Sequence, residues 1–174
     1  MRIVDNYLDP EVFLALSTAI MAPTFPWETC QILKDPPANF PPECNQQYVH
    51  GFYLQNAKRV FRSQQLGLVQ PLVAQIKPKR VIKVKVNSTN RQFKQIAYAF
   101  HTDTQQPEAT TAVLYLNTNN GYTLFEDGRK VESVANRMVF FDAALPHSGV
   151  HCTDTDRRLV LNINMFLDNA PHRQ

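Results

Sequence analysis

The stretch that decides the fold class lies near the carboxyl end of the chain and reads Arg158-Leu159-Val160-Leu161-Asn162-Ile163-Asn164-Met165-Phe166. Side chains alternate between the two faces of a β-strand, so this stretch predicts a strand with one purely apolar face. The opposite face carries Arg158, Val160, Asn162 and Asn164. A guanidinium and two amides on one face of such a strand need polar partners, because burying them unpaired is costly.

Working outward from this strand, hydrophobic alternation and turn residues predict an all-β region that follows two helices. The first helix is expected after an N-cap at Asp9, with Pro10 and Glu11 in its first turn, and the second over residues 59–76. Residues 88–92 are predicted to form a turn or loop, and the proline-rich residues 23–42 an irregular segment that covers one end of a barrel, with a short extended piece at 27–30. The predicted strands are residues 47–53, 82–86, 95–101, 111–117, 122–126, 137–142, 147–151 and 158–166. Many short strands separated by turn signals favour a β-sandwich or barrel with the helices on one outer face.

The composition narrows the class of protein. The 174 residues are 44% hydrophobic and 19% charged, which is typical of one soluble globular domain. There is no apolar run of the roughly 20 residues that a membrane helix needs, no secretory signal, and no disulfide framework among the three cysteines. We therefore expect a reduced, cytoplasmic setting. The net charge of +3 is too small to imply nucleic-acid binding. A basic cluster is interpreted as a solvated strand end rather than a polyanion site: Lys77, Lys79, Arg80, Lys83 and Lys85.

Three side chains suggest a metal site. His101 and Asp103 flank Thr102 at the end of a predicted strand, so they share one face, and His147 begins another strand. Two imidazoles and one carboxylate suit Fe(II), Mn(II) or Zn(II) and leave coordination positions open. The remaining histidines are interpreted otherwise: His50 as a packed or hydrogen-bonded core residue, His151 as too far along its strand, at about 13 Å from His147, and His172 as part of a polar tail.

A carboxylate ligand is one of two explanations for Arg158. A guanidinium binds a carboxylate in a bidentate fork, and the hydroxyl of Tyr115, in an apolar strand, could assist. The alternative is a structural salt bridge from Arg158 to Asp154 or Asp156. From the residues alone, the two explanations are equally favoured.

In order and spacing, these elements resemble the 2-oxoglutarate- and Fe(II)-dependent oxygenases, in their prolyl 4-hydroxylase-like branch. The matching segments are His101-Thr102-Asp103, residues 111–117, 120–125 and 136–142, Pro146-His147-Ser148-Gly149 and Arg158 at the start of the last strand. The resemblance covers about residues 80–167, and the compactness of the chain resembles the small oxygenases of this branch in bacteria and bacteriophages. Two departures from the family pattern are Tyr122 directly after Gly121 and the long segment 87–94.

The resemblance implies a double-stranded β-helix (jelly roll), with residues 1–174 as one domain made of an N-terminal helical and β part (1–79) and a catalytic core (80–167). It implies that His101, Asp103 and His147 bind the iron and that Arg158, assisted by Tyr115, binds the distal carboxylate of 2-oxoglutarate. Arg157 is a rival for that role, and Tyr98 is expected to line the cosubstrate pocket. The implied cofactors are Fe(II), 2-oxoglutarate and O₂, with ascorbate as an additional reductant.

The resemblance also implies the reaction. Hydroxylation is expected because halogenating relatives replace the metal-binding Asp with a small residue, whereas this chain keeps Asp103. The expected substrate is a prolyl residue of a peptide or protein; small molecules stay open, and no nucleic acid or membrane partner is expected. Two alternatives from other classes are a non-catalytic jelly-roll module that binds metal and 2-oxoglutarate, as a sensor or virion component, and a zinc hydrolase. The oligomeric state is open.

Overall fold

Two antiparallel sheets and two helices make up the computed structural model, which describes residues 1–36, 38 and 40–168; His172 lies outside them. The helices are α1 (Pro10–Met21) and α2 (Gln70–Ile76), with 3₁₀ turns at Pro42–Asn45 and Leu66–Val69. The strands are β1 (Arg2–Val4), β2 (Glu28–Gln31), β3 (Gln46–Gln55), β4 (Val60–Arg62), β5 (Arg80–Asn90), β6 (Thr110–Tyr115), β7 (Tyr122–Phe125), β8 (Lys130–Glu132), β9 (Met138–Asp142), β10 (His147–Val150) and β11 (Arg157–Phe166).

The larger sheet has the strand order β1-β9-β6-β11-β5-β3-β2, with β4 paired to β3, and the smaller sheet has the order β10-β7-β8. Strands that are distant in sequence are neighbours in both sheets, which is the mark of a jelly roll rather than of a meander of hairpins. The mainly β class with N-terminal helices and the jelly-roll architecture are confirmed. None of the described helices is long and apolar enough to cross a membrane, and the cytoplasmic setting stays a prediction.

Strand β11 organises the core. It is hydrogen-bonded to β5 on one edge and β6 on the other, and nearly all its residues are buried. Its apolar face, centred on the fully buried Leu161, packs in the main cluster, which also contains Leu16 and Ile20 of α1 and Leu72 of α2. Its opposite face lies between the two sheets, where Val160 is part of a second apolar cluster. The alternation predicted for this strand is confirmed.

The chain differs from the prediction around its second helix. Residues 60–62 form β4, which pairs with residues 53–55 of β3, and α2 begins only at Gln70. Pro71 in the first turn favours that start, because proline lacks the backbone N–H that a helix interior requires. The helix predicted over 59–76 is therefore wrong for its first half, where pairing with β3 outweighs the local apolar periodicity.

Two predictions about the strands near the metal motif are also wrong. Strand β5 continues to Asn90, through residues predicted as a loop, because it pairs with β3 and β11 on its two edges. Residues 95–101 form no continuous strand; they make isolated bridges at Ala97–Val150 and His101–His147. The short strand β8 was not predicted at all. Other local predictions hold, including the side chain of Asp9 as N-cap of α1 and the extended piece at 28–31.

An asparagine clamp fastens the N-terminal segment to the jelly roll. The side chain of Asn136 accepts a hydrogen bond from the backbone N–H of Leu8 (2.9 Å) and donates one to its carbonyl oxygen (2.8 Å). Asn136 has a φ of 61°, in the left-handed region that asparagine tolerates better than most residues. The Asn136 amide thus provides, for the backbone N–H and carbonyl of the buried Leu8, the two hydrogen bonds that a neighbouring strand would otherwise make.

We predict that Asn136→Ala lowers the free energy of unfolding by about 2–4 kcal/mol, since two hydrogen bonds of about 1 kcal/mol each are lost and alanine is strained at positive φ. The matched variant Asn136→Gly removes the same bonds without that strain and should be about 1 kcal/mol more stable than Asn136→Ala. Urea unfolding measures both. Equal stability of the wild type and Asn136→Ala would show that the clamp contributes nothing.

Candidate functional site

A reciprocal backbone pair places His101 opposite His147. The N–H of each residue donates to the carbonyl oxygen of the other, both at 3.0 Å, so the two residues lie side by side like partners in an antiparallel ladder. Their rings stand with centroids 4.6 Å apart. The sequence predicted a strand here, but a single bridge takes its place. This one residue pair sets the backbone position of His101 opposite His147.

Asp103 reaches the same point through a polar relay from the large sheet. Its N–H donates to the carbonyl oxygen of Ala143 (3.1 Å), and the hydroxyl of Thr111 donates to its Oδ2 (2.8 Å). The amide of Asn164 donates in turn to the Thr111 hydroxyl (2.8 Å). The relay orients the carboxylate, and it gives Asn164, one of the two amides on the polar face of β11, a structural partner.

The three side chains converge on one point. Ligand atoms of His101, Asp103 and His147 all lie within 4.8 Å of one another. The carboxylate of Asp103 and the imidazole of His147 are almost buried, at 4% and 5% exposure, and Oδ2 lies 3.7 Å from Nε2. His101 is the exposed member. This is the facial arrangement of two nitrogens and one oxygen that leaves the outer side of a metal open.

The protonation states suit a metal. Nδ1 of His147 lies 2.9 Å from the carbonyl oxygen of Leu145, which can only accept, so the proton is on Nδ1 and the lone pair of Nε2 is free. Burial and the neighbouring His147 lower the pKa of His101, which favours the neutral, ligating form. Burial acts to raise the pKa of Asp103, but His147, Lys83 and two hydrogen bonds outweigh it, so its pKa is lowered and the carboxylate stays ionised.

Arg158 lies in the same cavity and lacks a carboxylate partner among the residues that the structure describes. It is 6% exposed; its Nε donates to the hydroxyl of Ser133 (3.0 Å) and its Nη2 to Thr123 (3.1 Å). Of the proposed salt-bridge partners, Asp154 instead accepts from the N–H of Asn120. These contacts hold the guanidinium in place without neutralising it, so further N–H donors remain for a ligand.

The rival Arg157 lies outside the cavity. It is exposed, and its guanidinium stacks over the ring of Tyr48 at 5.3 Å. Gly121 explains how Arg158 fits: a Cβ there would stand 2.7 Å from Cδ of Arg158 and 2.7 Å from the carbonyl oxygen of Val150. Only glycine leaves this space, whatever residue follows it, so the departure of Tyr122 from the family pattern does not disturb the arginine.

The two tyrosines predicted beside the ligand differ in position. Tyr98 lines the cavity, whereas Tyr115 is fully buried behind it and donates its hydroxyl to Thr123 (2.8 Å), the same oxygen that accepts from Arg158. The Tyr115 hydroxyl also lies 3.3 Å from the carbonyl oxygen of Val131, so it is held between two polar groups behind the cavity. Tyr115 thus acts through Thr123, and its expected direct contact with a ligand stays a prediction.

Sequence reasoning missed the partners of these side chains. The hydroxyl of Tyr98 bonds Nε2 of His151, whose Nδ1 faces the carbonyl oxygen of Ile96 (3.3 Å). Burial lowers the pKa of His151 to about 4, so the ring is neutral and accepts the phenolic proton. Ser133 and Thr123 were missed as well. Nothing in the local sequence marks them, because each meets Arg158 only through the sheet arrangement.

The cavity that joins these groups has a volume of about 310 Å³. His101 and His147 line it together with the inward-facing residues of β5 and β11 and with Ile32 and Leu33 of the proline-rich segment. The amide of Asn45 pins Leu33 there by accepting from its N–H (2.7 Å) and donating to its carbonyl (2.9 Å). A larger depression of about 530 Å³, beside Asn56, holds none of the metal-ligating side chains.

Comparisons with known proteins find this fold in solved structures. No family model matches the chain, and no curated protein matches it. An oxidoreductase of the 2OG-Fe(II) oxygenase family from Burkholderia pseudomallei superposes with a TM-score of 0.64, at 13% identity, over 99% of this chain and 88% of that one. The fold is that of the 2-oxoglutarate/Fe(II) oxygenases.

Two further structures with this fold are prolyl hydroxylases. One, from Trichoplax adhaerens, was solved in complex with a hypoxia inducible factor oxygen degradation domain peptide fragment; it gives a TM-score of 0.62 at 12% identity over 95% of this chain and 82% of that one. The other, from Pseudomonas putida, is a prolyl-4-hydroxylase with a TM-score of 0.57 at 15% identity, over 95% of this chain and 91% of that one. At such identities the likeness is one of fold.

We predict that Thr111→Val weakens binding of Fe(II) or Mn(II) by roughly 10- to 100-fold, as is typical when a group that orients a metal ligand is removed. Thr111→Ser keeps the hydroxyl and should bind metal like the wild type. Equilibrium dialysis with metal analysis measures the affinities, and thermal unfolding checks that both variants fold. Unchanged affinity in a folded Thr111→Val protein would show that the relay does not orient Asp103.

Proposed function

We propose that this protein is a 2-oxoglutarate- and Fe(II)-dependent dioxygenase that hydroxylates a C–H bond, with release of succinate and CO₂. The observation that carries the proposal is the position of Arg158, a buried guanidinium without a carboxylate partner among the described residues. It lines the same cavity as His101 and His147, whose ligand atoms lie within 4.8 Å of that of Asp103. A metal site alone would fit many proteins. A second site for a dicarboxylate in the same small cavity is far more specific.

The residues fit both groups. Two neutral imidazoles and one carboxylate would hold Fe(II) on one side, and Arg158, positioned by Ser133 and Thr123, would hold the far carboxylate of 2-oxoglutarate. When bound, iron and 2-oxoglutarate supply the oxidising chemistry together with O₂. The chain orients both groups through the Thr111 relay and the Ser133 contact, and the apolar wall around Val160 limits access of water.

For the substrate, we propose a prolyl residue of a peptide or protein. The support is the resemblance of the sequence to the prolyl 4-hydroxylase-like branch, together with the fold shared with two prolyl hydroxylases. Ascorbate as a reductant belongs to the same proposal. A bacteriophage origin has no support among these neighbours. Specificity would lie in the proline-rich segment and in the rim segment, residues 91–109 between β5 and β6, because loops on a rigid scaffold commonly carry it.

The first test is turnover. The protein loaded with Fe(II) should convert 2-oxoglutarate to succinate faster when a hydroxylatable substrate from a proline-containing peptide library is added, with a gain of 16 Da in the product by mass spectrometry. His101→Ala should abolish both signals. Tight binding of 2-oxoglutarate with no succinate in any condition would support the non-catalytic module, and activity with Zn(II) alone would support a hydrolase.

The second test separates Arg158 from its neighbour. We predict that Arg158→Gln weakens 2-oxoglutarate binding by about 100-fold, since charge-assisted hydrogen bonds to the carboxylate are lost. The matched variant Arg157→Gln removes an equal charge one residue away and should leave the affinity unchanged. Anaerobic calorimetry on the metal-loaded protein measures both. If Arg158→Gln proves unstable, Arg158→Lys tests the same point, and equal losses in the Arg157 and Arg158 variants would contradict the assignment.

A further inference from the structure

The cavity holds a second cationic side chain, and the proposed chemistry leaves it without a role. Lys85, in the middle of β5, lines the cavity with Asn87 and Thr89, the alternate residues of the same strand. The sequence placed Lys85 in a solvated basic cluster, and that interpretation is wrong. Lys85 alternates along β5 with the core residues Val84 and Val86, so it lies on the opposite face, and its side chain is half-buried among the lining residues.

The ammonium of Lys85 has no carboxylate within ion-pairing distance among the residues that the structure describes. Burial and the neighbouring Lys83 lower its pKa, whereas Asp103 acts to raise it. Arg158 is instead influenced by Tyr115, Tyr98 and Cys152. Lys85 thus lines the cavity without a neutralising partner among the described residues.

Strand register separates the backbone positions of the two cationic residues. Lys85 is the direct partner of Asn162 on β11, and Arg158 lies four residues before Asn162 on that strand. Four residues of β-strand span about 13 Å. The two side chains therefore arise from well-separated points on the cavity wall.

The charges within the cavity do not balance without a further anion. If the proposed function holds, Fe(II) and Arg158 offset the carboxylate of Asp103 and the two carboxylates of 2-oxoglutarate, while the two histidines are neutral ligands. The positive charge of Lys85 is left over. A half-buried charge without a partner is costly, so a ligand of opposite sign would be strongly favoured there.

Two orphan amides stand beside Lys85. Asn162 is 8% exposed, and its Oδ1 has no hydrogen-bond partner; Oδ1 of Asn87 is likewise buried and unpaired. Both side chains line the cavity. The two Oδ1 atoms have almost no accessible surface, so they make the wall beside Lys85 polar without facing a ligand directly.

We propose that Lys85, on the cavity wall that it shares with Asn87 and Asn162, forms the substrate subsite for a free α-carboxylate. The ammonium of Lys85 binds the carboxylate. This inference rests on the proposed function and narrows its substrate, from a prolyl residue anywhere in a peptide to a free amino acid or a carboxyl-terminal residue. The two sources share the same chemistry, and the experiment separates them.

The experiment is anaerobic calorimetry on the Fe(II)- and 2-oxoglutarate-loaded protein. The probes are L-proline and L-prolinamide, and a short proline-containing peptide with either a free carboxylate or a carboxamide at its end. The carboxylate form of at least one pair should bind about tenfold or more tightly than its amide. Preference within the first pair identifies a free amino acid, and preference only within the second identifies a peptide terminus.

Lys85→Met should abolish the preference, and Lys85→Arg should retain it. Lys79→Met is the control, because Lys79 is exposed and does not line the cavity; it should keep the preference. Equal binding of carboxylate and amide forms, no binding of either, or equal losses in the Lys79 and Lys85 variants would overturn the inference.

The outcome is separable from that of the proposed function. Affinity for 2-oxoglutarate, measured in the same Lys85→Met protein, should match the wild type, since Arg158 carries that contact. Fe(II)-dependent succinate formation without any carboxylate preference would leave the oxygenase proposal standing and reject the Lys85 subsite. Lys85-dependent binding of carboxylates in a protein that never forms succinate would do the reverse.

Discussion

Burial of strand β11 on both faces is the constraint on which the rest of the structure depends. One face is purely apolar and meets the two helices; the other carries one arginine and two asparagines into the space between the sheets. Polar groups in such a place must be satisfied by protein, water or ligand. The amide N–H of Asn164 is bonded to Thr111 while its Oδ1 is buried without a hydrogen-bond partner, and Arg158 and Asn162 face an open cavity. A fold that placed three polar residues on a central strand without a ligand site would lose stability.

The polar residues of β11 have different roles at the two ends of the strand. Asn164, at one end, supports the carboxylate of Asp103 through Thr111; Arg158, at the other, is held by Ser133 and Thr123. The regular spacing of the strand keeps these functions apart, so a dicarboxylate and a metal are offered positions by the same element. Rigid strands rather than loops thus hold the chemistry, which is the arrangement that best preserves geometry.

The sequence predicted the metal-site cluster and Arg158 because alternation within a strand is a local property, readable from a few residues. Long-range pairing explains what was missed. Residues 88–90 look like a turn but extend β5 because two neighbours pair with them, and residues 95–101 look like a strand but have too few partners. Lys85 looked solvated because inward and outward faces of a two-edged strand cannot be told apart from charge alone. His151 and Ser133 meet their partners only in three dimensions.

The isolated bridge at His101 has a consequence for how this scaffold can evolve. The rim segment is tied to the rest of the molecule by single backbone contacts, of which the His101–His147 pair and the bond from Asp103 to Ala143 fix the ligands. Residues 96–101 are held by their contacts with residues 147–151, whereas Phe93 precedes them and its ring is fully exposed. Changes of length or sequence around Phe93 can therefore alter the rim of the cavity without shifting the candidate metal-binding atoms.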